Sequence, residues 1–165
     1  AVDGPSGAGK STLAKAIAAK LGILYVDTGA IYRTIGYAVK RRGVEPRDEA
    51  AVRAILPELE IGMRYEADGE RDIGTVVLPD AEVKIFLTAS AEVRAQRRCL
   101  ELEQRGTPKP YDEVLRELNE RDYNDSHRAA APLRAAEDAI VVDTSALDFD
   151  ASREALLALI REKLQ

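Results

Sequence analysis

The most restrictive feature of the sequence is a glycine-rich segment close to its start. The segment GPSGAGKST, from Gly4 to Thr12, satisfies the pattern G-x-x-x-x-G-K-[ST]. It follows a short apolar stub, and Leu13, Ile17 and Leu21 recur behind it at every fourth position. That spacing predicts a helix with one apolar face, so the segment is expected to join a strand to a helix.

A loop in this position can bind phosphate through its backbone. Glycines allow several N–H groups to converge on phosphate oxygens, and the start of the following helix adds the positive end of its dipole. Lys10 is then expected to reach the β- and γ-phosphates of a nucleotide, and Ser11 to supply a hydroxyl to Mg²⁺. The alternative is a glycine-rich turn that caps an ordinary helix. We interpret the segment as an ATP-binding loop made of Gly4, Pro5, Ser6, Gly7, Ala8, Gly9, Lys10, Ser11 and Thr12.

The composition excludes several classes of protein. The chain has 165 residues, of which 45% are hydrophobic and 32% charged, as is typical of one globular domain. Its formal net charge of −5 argues against a nucleic-acid surface, which needs a basic face. The sequence shows no membrane-spanning apolar run and no signal-peptide pattern, so we expect a cytoplasmic protein. Cys99 is the only cysteine, which excludes an intramolecular disulfide.

The hydrophobic pattern predicts strands that alternate with helices. Such a pattern is typical of an α/β fold, in which helices cover both faces of a parallel sheet and ligands bind at the carboxyl ends of the strands. A further alternating segment over 59–65 is expected to form an antiparallel strand outside that sheet. The four candidate parallel strands are residues 1–2, Ile23–Val26, Val83–Leu87 and Ile140–Val142.

Two predicted helices in the second half of the chain carry clustered arginines. Arg121, Asp125 and Arg128 are spaced by four and three, so they share one face of a helix predicted over 112–128. The short loop 106–110 joins this helix to the preceding one. On the preceding helix and its exit lie Arg94, Arg97, Arg98 and Arg105.

These arginines are suited to phosphoryl transfer. Arginine meets phosphate with two parallel donors, and an acidic protein that gathers two nucleotides needs such groups locally. The reaction depends mainly on alignment and charge neutralisation, to which one arginine contributes about 10³ to 10⁵ in rate. We therefore expect the two helices to form a lid. The alternative is a solvated helix edge with ordinary ion pairs.

A third group follows the second predicted strand. Thr28, Tyr32 and Arg33 lie where that strand ends and a helix begins, so they are expected to face the ligand side of the sheet. The alternative is that Tyr32 packs in the core and Arg33 is a surface charge.

Four stretches of the sequence together resemble the bacterial cytidylate kinase family of P-loop nucleoside monophosphate kinases. They are DGPSGAGKST, YVDTGAIYR, RDIGTVVLPDAEVKIFLTAS and ERDYNDSHRAAAPL. The resemblance implies in-line transfer of the γ-phosphoryl group of ATP to CMP or dCMP, a step of pyrimidine metabolism. It also implies Mg²⁺ as a cofactor, small nucleotides as the partners and, by default, a monomer.

The resemblance implies roles for individual residues. His127 receives none, and Lys10 and Ser11 serve ATP and Mg²⁺. The implied acceptor-binding residues are Thr28, Tyr32, Arg33, Arg71, Asp72, Arg121, Asp125 and Arg128. The implied catalytic residues are Lys10, Arg97, Arg98, Arg121 and Arg128.

The chain departs from this family between Glu70 and Arg71. The family has several dozen residues there, which carry a base-contacting insertion and a central strand; here Glu70 runs straight into Arg71. The resemblance implies a five-stranded sheet of order 2-3-1-4-5, in which the third strand pairs with the first and the second. Without it, the strand Ile23–Val26 has no parallel partner. We expect that the sequence joins two pieces across an omitted segment; the alternative is an actual deletion.

We predict one P-loop kinase domain over residues 1–165. Its core comprises 1–58, 71–90 and 129–165, a remnant of the acceptor-binding insertion comprises 59–70, and the lid comprises 91–128.

Two other functions remain open. A small-molecule kinase of the shikimate or gluconate type shares the loop and lid but lacks the Thr-Gly-x-x-Tyr-Arg segment found at 28–33. A GTP-binding switch or regulatory nucleotide-binding module is the second alternative, although the sequence lacks the Asn-Lys-x-Asp guanine signature.

Overall fold

The protein is described by a computed structural model at residues 1–59, 64–65, 71–72, 81–128 and 132–164. Two compact units are present, Ala1–Gly22 with Asp80–Gln165, and Ile23–Pro79. The elements in chain order are β1 (Val2–Asp3), α1 (Lys10–Leu21), α2 (Thr28–Arg41), α3 (Glu49–Ile55), β2 (Arg64–Tyr65), β3 (Arg71–Asp72), β4 (Ile85–Thr88), α4 (Ala91–Gln104), α5 (Tyr111–His127), β5 (Ile140–Asp143) and α6 (Phe149–Lys163). None of the helices in the described ranges is long and apolar enough to cross a lipid bilayer.

The first unit is built on a parallel sheet with the strand order β1-β4-β5. In its register Val2 lies opposite Ile85, and Ile85 lies opposite Ile140. These strands are the first, fourth and fifth of the predicted order 2-3-1-4-5, and they keep the neighbours expected for them. The predicted α/β class, a parallel sheet with flanking helices, is confirmed.

The core of this unit holds the phosphate loop, β4, α1 and α6 together. Leu13 and Ile17, one turn apart on α1, are both buried, as their spacing predicts. Full burial of a leucine side chain stabilises a fold by about 1.5–3 kcal/mol, so the leucines of this cluster dominate its energetics. The buried members are Ala8, Leu13, Ile17, Ile85, Leu87, Leu156 and Leu157.

Helices α4 and α5 form a hairpin with a small core of its own. Ala95, Val114 and Leu118 are buried between them, and Cys99 packs against this cluster. The hydroxyl of Ser90 accepts a hydrogen bond from the N–H of Val93 at 3.3 Å and so caps α4. Both ends of α5 lie within one residue of the range predicted for it, 112–128.

The second unit contains α2, α3 and a two-stranded antiparallel sheet. Asp48 caps α3, since its carboxylate accepts a hydrogen bond from the N–H of Ala51 at 3.0 Å. Asp27 caps α2 in the same way through the N–H of Gly29 at 2.9 Å. β2 pairs with β3, with Arg64 opposite Asp72. An antiparallel strand outside the main sheet was predicted for this region.

The strand predicted over Ile23–Val26 is not formed. Residues 23–27 have no regular secondary structure, and Ile23, Leu24 and Val26 are 59%, 47% and 41% exposed. A parallel strand needs a neighbour for its N–H and C=O groups, and in the described part of the chain no further strand joins the parallel sheet. The segment after Glu70 pairs with β2 instead. The prediction of this strand was therefore wrong, whereas the predicted loss of its partner is confirmed.

Candidate active site

The phosphate loop connects β1 to α1, as predicted, and rests against the end of β4. Gly4 has φ of 142°, and a Cβ placed there would lie 1.9 Å from the carbonyl oxygen of Leu87. Only glycine can therefore turn the chain here at this distance from β4. The carboxylate of Asp3 accepts a hydrogen bond from the N–H of Gly4 at 2.7 Å, which holds the turn from the other side.

Lys10 lies on the first turn of α1 and reaches back over the loop. Its Nζ donates to the carbonyl oxygens of Gly4 at 2.9 Å and of Pro5 at 2.8 Å. Burial lowers the pKa of Lys10 below its ordinary value of 10.5, and the nearby carboxylate of Asp3 partly opposes this effect. The ammonium is thus held among backbone carbonyls, within the loop that its motif predicts it to serve.

Charged residues of the α4–α5 hairpin also act on Lys10. The positive charges of Arg121 and Arg94 lower the pKa of Lys10, and the carboxylate of Asp125 raises it. Arg94 donates to the carbonyl oxygen of Ser6 at 3.0 Å, so the start of α4 lies beside the loop. The charged residues that the sequence singled out on α5 thus influence the pKa of the loop lysine.

On that face, Asp125 lies between two arginines. Its carboxylate is 3.6 Å from Nε of Arg121 and 3.8 Å from Nη1 of Arg128, so the three residues share one side of the helix end, as predicted. α5 ends at His127, and Arg128 follows in extended backbone. The side chain of Arg121 is 65% exposed. Its guanidinium is therefore within reach of an anion from solvent.

Arg94 occupies a different environment from Arg121. It is only 4% exposed, although the sequence grouped it with the lid arginines. Its Nε donates to the carbonyl oxygen of Ala89 at 2.9 Å, and its Nη1 donates to that of Ser6 at 3.0 Å. Both terminal nitrogens also contact the carboxylate of Asp122, at 3.2 and 2.6 Å. Arg94 therefore links the phosphate loop, the start of α4 and α5.

Arg97 and Arg98, predicted to be catalytic, point to different partners. The guanidinium of Arg97 donates to the hydroxyl and carbonyl of Thr144 at 3.2 and 2.8 Å and to the carbonyl of Leu147 at 3.2 Å, in the turn after β5. Arg98 forms a surface ion pair with Glu101 at 2.7 Å. A role of either residue at the transferring phosphoryl group stays a prediction.

Five of the residues predicted to bind the acceptor belong to the second unit. Thr28 and Tyr32 lie on α2, and their side chains fall outside the described residues. Arg33 has an exposed side chain whose Nη2 lies 3.3 Å from the carboxylate of Asp27. The side chains of the β3 residues Arg71 and Asp72 also fall outside the described part. These assignments stay predictions.

Sequence reasoning missed the partner of Arg94. Arg94 and Asp122 are 28 residues apart on different helices, so their spacing alone predicts no contact. One signal was nevertheless present, because Val114, Leu118 and Asp122 follow one another at four-residue intervals. Val114 and Leu118 are buried, and a carboxylate that continues a buried apolar stripe needs a charged partner.

Comparison with known proteins adds independent information. The family described as cytidylate kinase matches this chain in two segments, residues 1–68 and 62–162. A cytidylate kinase of Fervidobacterium nodosum is 41% identical, with 99% of this chain and 96% of the relative covered. One from Paramagnetospirillum magneticum is 41% identical, at 99% and 97% coverage. One from Shouchella clausii is 37% identical, at 98% and 95% coverage.

The same comparisons show where this chain lacks a segment that its relatives have. The alignment with the Fervidobacterium protein spans 211 positions and this chain has 165 residues, so 211 less 165 leaves at least 46 positions without a counterpart here. The two matched segments of the family meet at residues 62–68. The gap therefore lies close to the Glu70–Arg71 junction identified in the sequence.

Proposed function

The chain belongs to the cytidylate kinase family, and on that premise we propose that it transfers the γ-phosphoryl group of ATP to CMP or dCMP. The products are ADP and CDP or dCDP. The observation that carries the proposal is the phosphate loop, in which Nζ of Lys10 lies 2.9 and 2.8 Å from the carbonyl oxygens of Gly4 and Pro5. This loop belongs to the same compact unit as the charged face of α5.

The proposed reaction requires positioning and charge neutralisation more than side-chain chemistry. A phosphate oxygen of the acceptor attacks the γ-phosphorus, and the bond to the departing oxygen of ADP breaks on the opposite side. Lys10 and the loop N–H groups hold the donor phosphates. Arg121 and Arg128 stabilise the negative charge on the phosphoryl group in transit, and Asp125 orients both guanidinium groups.

Mg²⁺ is the ion that accompanies ATP in this proposal, and Ser11 is the residue that would hold it. Ser11 is exposed on the first turn of α1, directly after Lys10. Among the described residues no group of three His, Cys, Asp or Glu side chains is arranged around a metal site. Mg²⁺ in nucleotide enzymes needs only one or two protein oxygens, because phosphates and water complete its shell. An exposed hydroxyl fits that role, and the bound ion would neutralise phosphate charge.

The acceptor side of the proposal rests on the second unit. We assign acceptor binding to Thr28, Tyr32, Arg33, Arg71 and Asp72, in addition to the charged residues of α5. The division into core, insertion remnant and lid, the monomeric state and the cytoplasmic location belong to the same proposal.

A coupled assay of ADP release tests the function directly. Purified protein with ATP and Mg²⁺ should release ADP when CMP or dCMP is added, and much less with shikimate or gluconate. Lys10→Ala serves as the inactive control. A strong preference for shikimate or gluconate, or ATP binding with no turnover of any acceptor, would contradict the proposal.

A further inference from the structure

Arg94 lies buried beneath the phosphate loop. We propose that Arg94 is a positioning residue, which fixes the orientation of the Ser6–Gly7 peptide so that the N–H of Gly7 is directed to bind phosphate, and that Asp122 holds Arg94 in place. The inference deepens the proposed function and rests on ATP binding at the loop.

The guanidinium of Arg94 is held in one orientation by its contacts with Asp122 and Ala89. Asp122 engages both terminal nitrogens, and Nε donates to the carbonyl oxygen of Ala89. A planar guanidinium held on two sides has a fixed plane and fixed donor directions. The 3.0 Å hydrogen bond from Nη1 to the carbonyl oxygen of Ser6 is therefore set by the surrounding protein.

The hydrogen bond from Arg94 to Ser6 also sets the orientation of the peptide that follows Ser6. In a planar trans peptide the C=O and N–H bonds point in opposite directions. Because the carbonyl of Ser6 faces Arg94, the N–H of Gly7 faces away from it. Glycine flips its peptide easily because it lacks a Cβ, and a flipped peptide would present a carbonyl oxygen where an anion has to bind. The hydrogen bond from Arg94 opposes that flip.

Packing supports the same arrangement. Gly7 has φ of 78°, and a Cβ placed on it would lie 3.3 Å from Cβ of Arg94. The loop therefore rests directly on the first turn of α4, and a side chain at position 7 would require both a small shift of Arg94 and a strained backbone.

Arg94 is buried and already paired with a carboxylate, so it does not bind phosphate itself. Arg94 is 4% exposed and paired with Asp122, whereas Arg121 is 65% exposed. A buried guanidinium needs its carboxylate partner, so the two residues act as one unit. Asp122 directly follows Arg121 in the chain, but its carboxylate contacts Arg94, whereas Arg121 pairs with Asp125.

Two variants and one matched control test the inference. Arg94→Lys keeps the charge but cannot donate to Ser6, Ala89 and Asp122 together. Asp122→Asn keeps Arg94 but removes the charged anchor. Arg53→Lys makes the same chemical change at an exposed position of α3, where Arg53 pairs with Glu49. The measurements are the KM values for ATP and CMP, the Kd for inorganic pyrophosphate, and the NMR shift of the Gly7 amide on pyrophosphate addition.

The expected result is a selective loss on the donor side. Arg94→Lys should raise the KM for ATP and the Kd for pyrophosphate about tenfold, as expected when one charge-assisted hydrogen bond is lost. The KM for CMP should stay within about twofold, and the Gly7 shift should shrink. Asp122→Asn should show the same pattern more weakly, and Arg53→Lys should match the wild type. A purely structural role would lower the melting temperature and the active fraction but leave both KM values unchanged.

The outcomes are distinguishable. If folded Arg94→Lys binds pyrophosphate like the wild type and gives the same Gly7 shift, the inference is wrong. If Arg94→Lys does not fold, Asp122→Asn decides by the same measurements. If the wild type itself neither binds pyrophosphate nor phosphorylates CMP, the proposed function fails together with the inference.

Discussion

Substitution of Gly4 by alanine tests whether the close packing of the phosphate loop against β4 is required. The new Cβ would lie 1.9 Å from the carbonyl oxygen of Leu87, 2.9 Å from its carbonyl carbon and 3.3 Å from its nitrogen. All three atoms belong to the backbone of β4, so no side-chain rotation relieves the overlap. The φ of 142° is also a conformation that alanine rarely adopts.

The two effects can be weighed separately. A non-glycine residue in this backbone region costs about 1–3 kcal/mol. Overpacking against a rigid partner costs about another 1–3 kcal/mol. We therefore expect Gly4→Ala to lower the free energy of unfolding by about 2–6 kcal/mol, out of a total of about 5–15 kcal/mol for a domain. A loop displaced by about 1 Å would also lose activity by about 10²-fold.

Urea denaturation followed by circular dichroism measures the stability change, and CMP-dependent ADP release measures the activity. Gly106→Ala is the matched control, because Gly106 has φ of 71° but a Cβ there would meet nothing within 4 Å. The free energy of unfolding of the control should fall only by the cost of placing alanine in the left-handed conformation, about 1 kcal/mol. If Gly4→Ala is no less stable than Gly106→Ala and equally active, the close approach to β4 does not constrain the loop as argued.

Three further predictions concern the charged groups. Lys10→Ala should lower turnover by about 10²–10³-fold without unfolding the protein, as measured by ADP release and circular dichroism; retained activity would contradict its assigned role. Arg121→Ala should raise the KM for CMP and lower kcat. The melting temperature should change little, since exposed ion pairs contribute about 0–1 kcal/mol to stability. A change in stability without a change in KM or kcat would contradict a role of Arg121 in the reaction. Burial lowers the pKa of Lys10 below its ordinary value of 10.5. Phosphate binds the charged ammonium group, so the affinity for ATP should fall as the pH rises through the lowered pKa of the folded protein. In the absence of ATP the same shift makes the free energy of unfolding rise with pH over this window, because the unfolded chain binds the proton more tightly; pH titrations of Lys10→Ala should lack both effects.

Much of the fold was predictable because it depends on interactions between residues close in the sequence. The caps at Asp48 and Ser90 each involve an N–H three residues away. Leu13 and Ile17 share one face of α1 through helical spacing alone, and that face is buried. The candidate site was predictable in part, since Arg121 and Asp125 share a face of α5 through helical geometry alone. Arg128 lies beyond the end of the helix and approaches Asp125 from extended backbone.

The sequence by itself determined the phosphate loop, the helices, the order of the three parallel strands and the family. Tertiary structure alone decided which charged residues are exposed and which hold the loop in place. Arg94 and Arg121 both lie on helices rich in arginine, yet Arg94 is buried because its partners come from Ser6, Ala89 and Asp122. Residues 23–27 likewise remain outside any strand, because a parallel strand forms only when a distant segment supplies its hydrogen-bond partners.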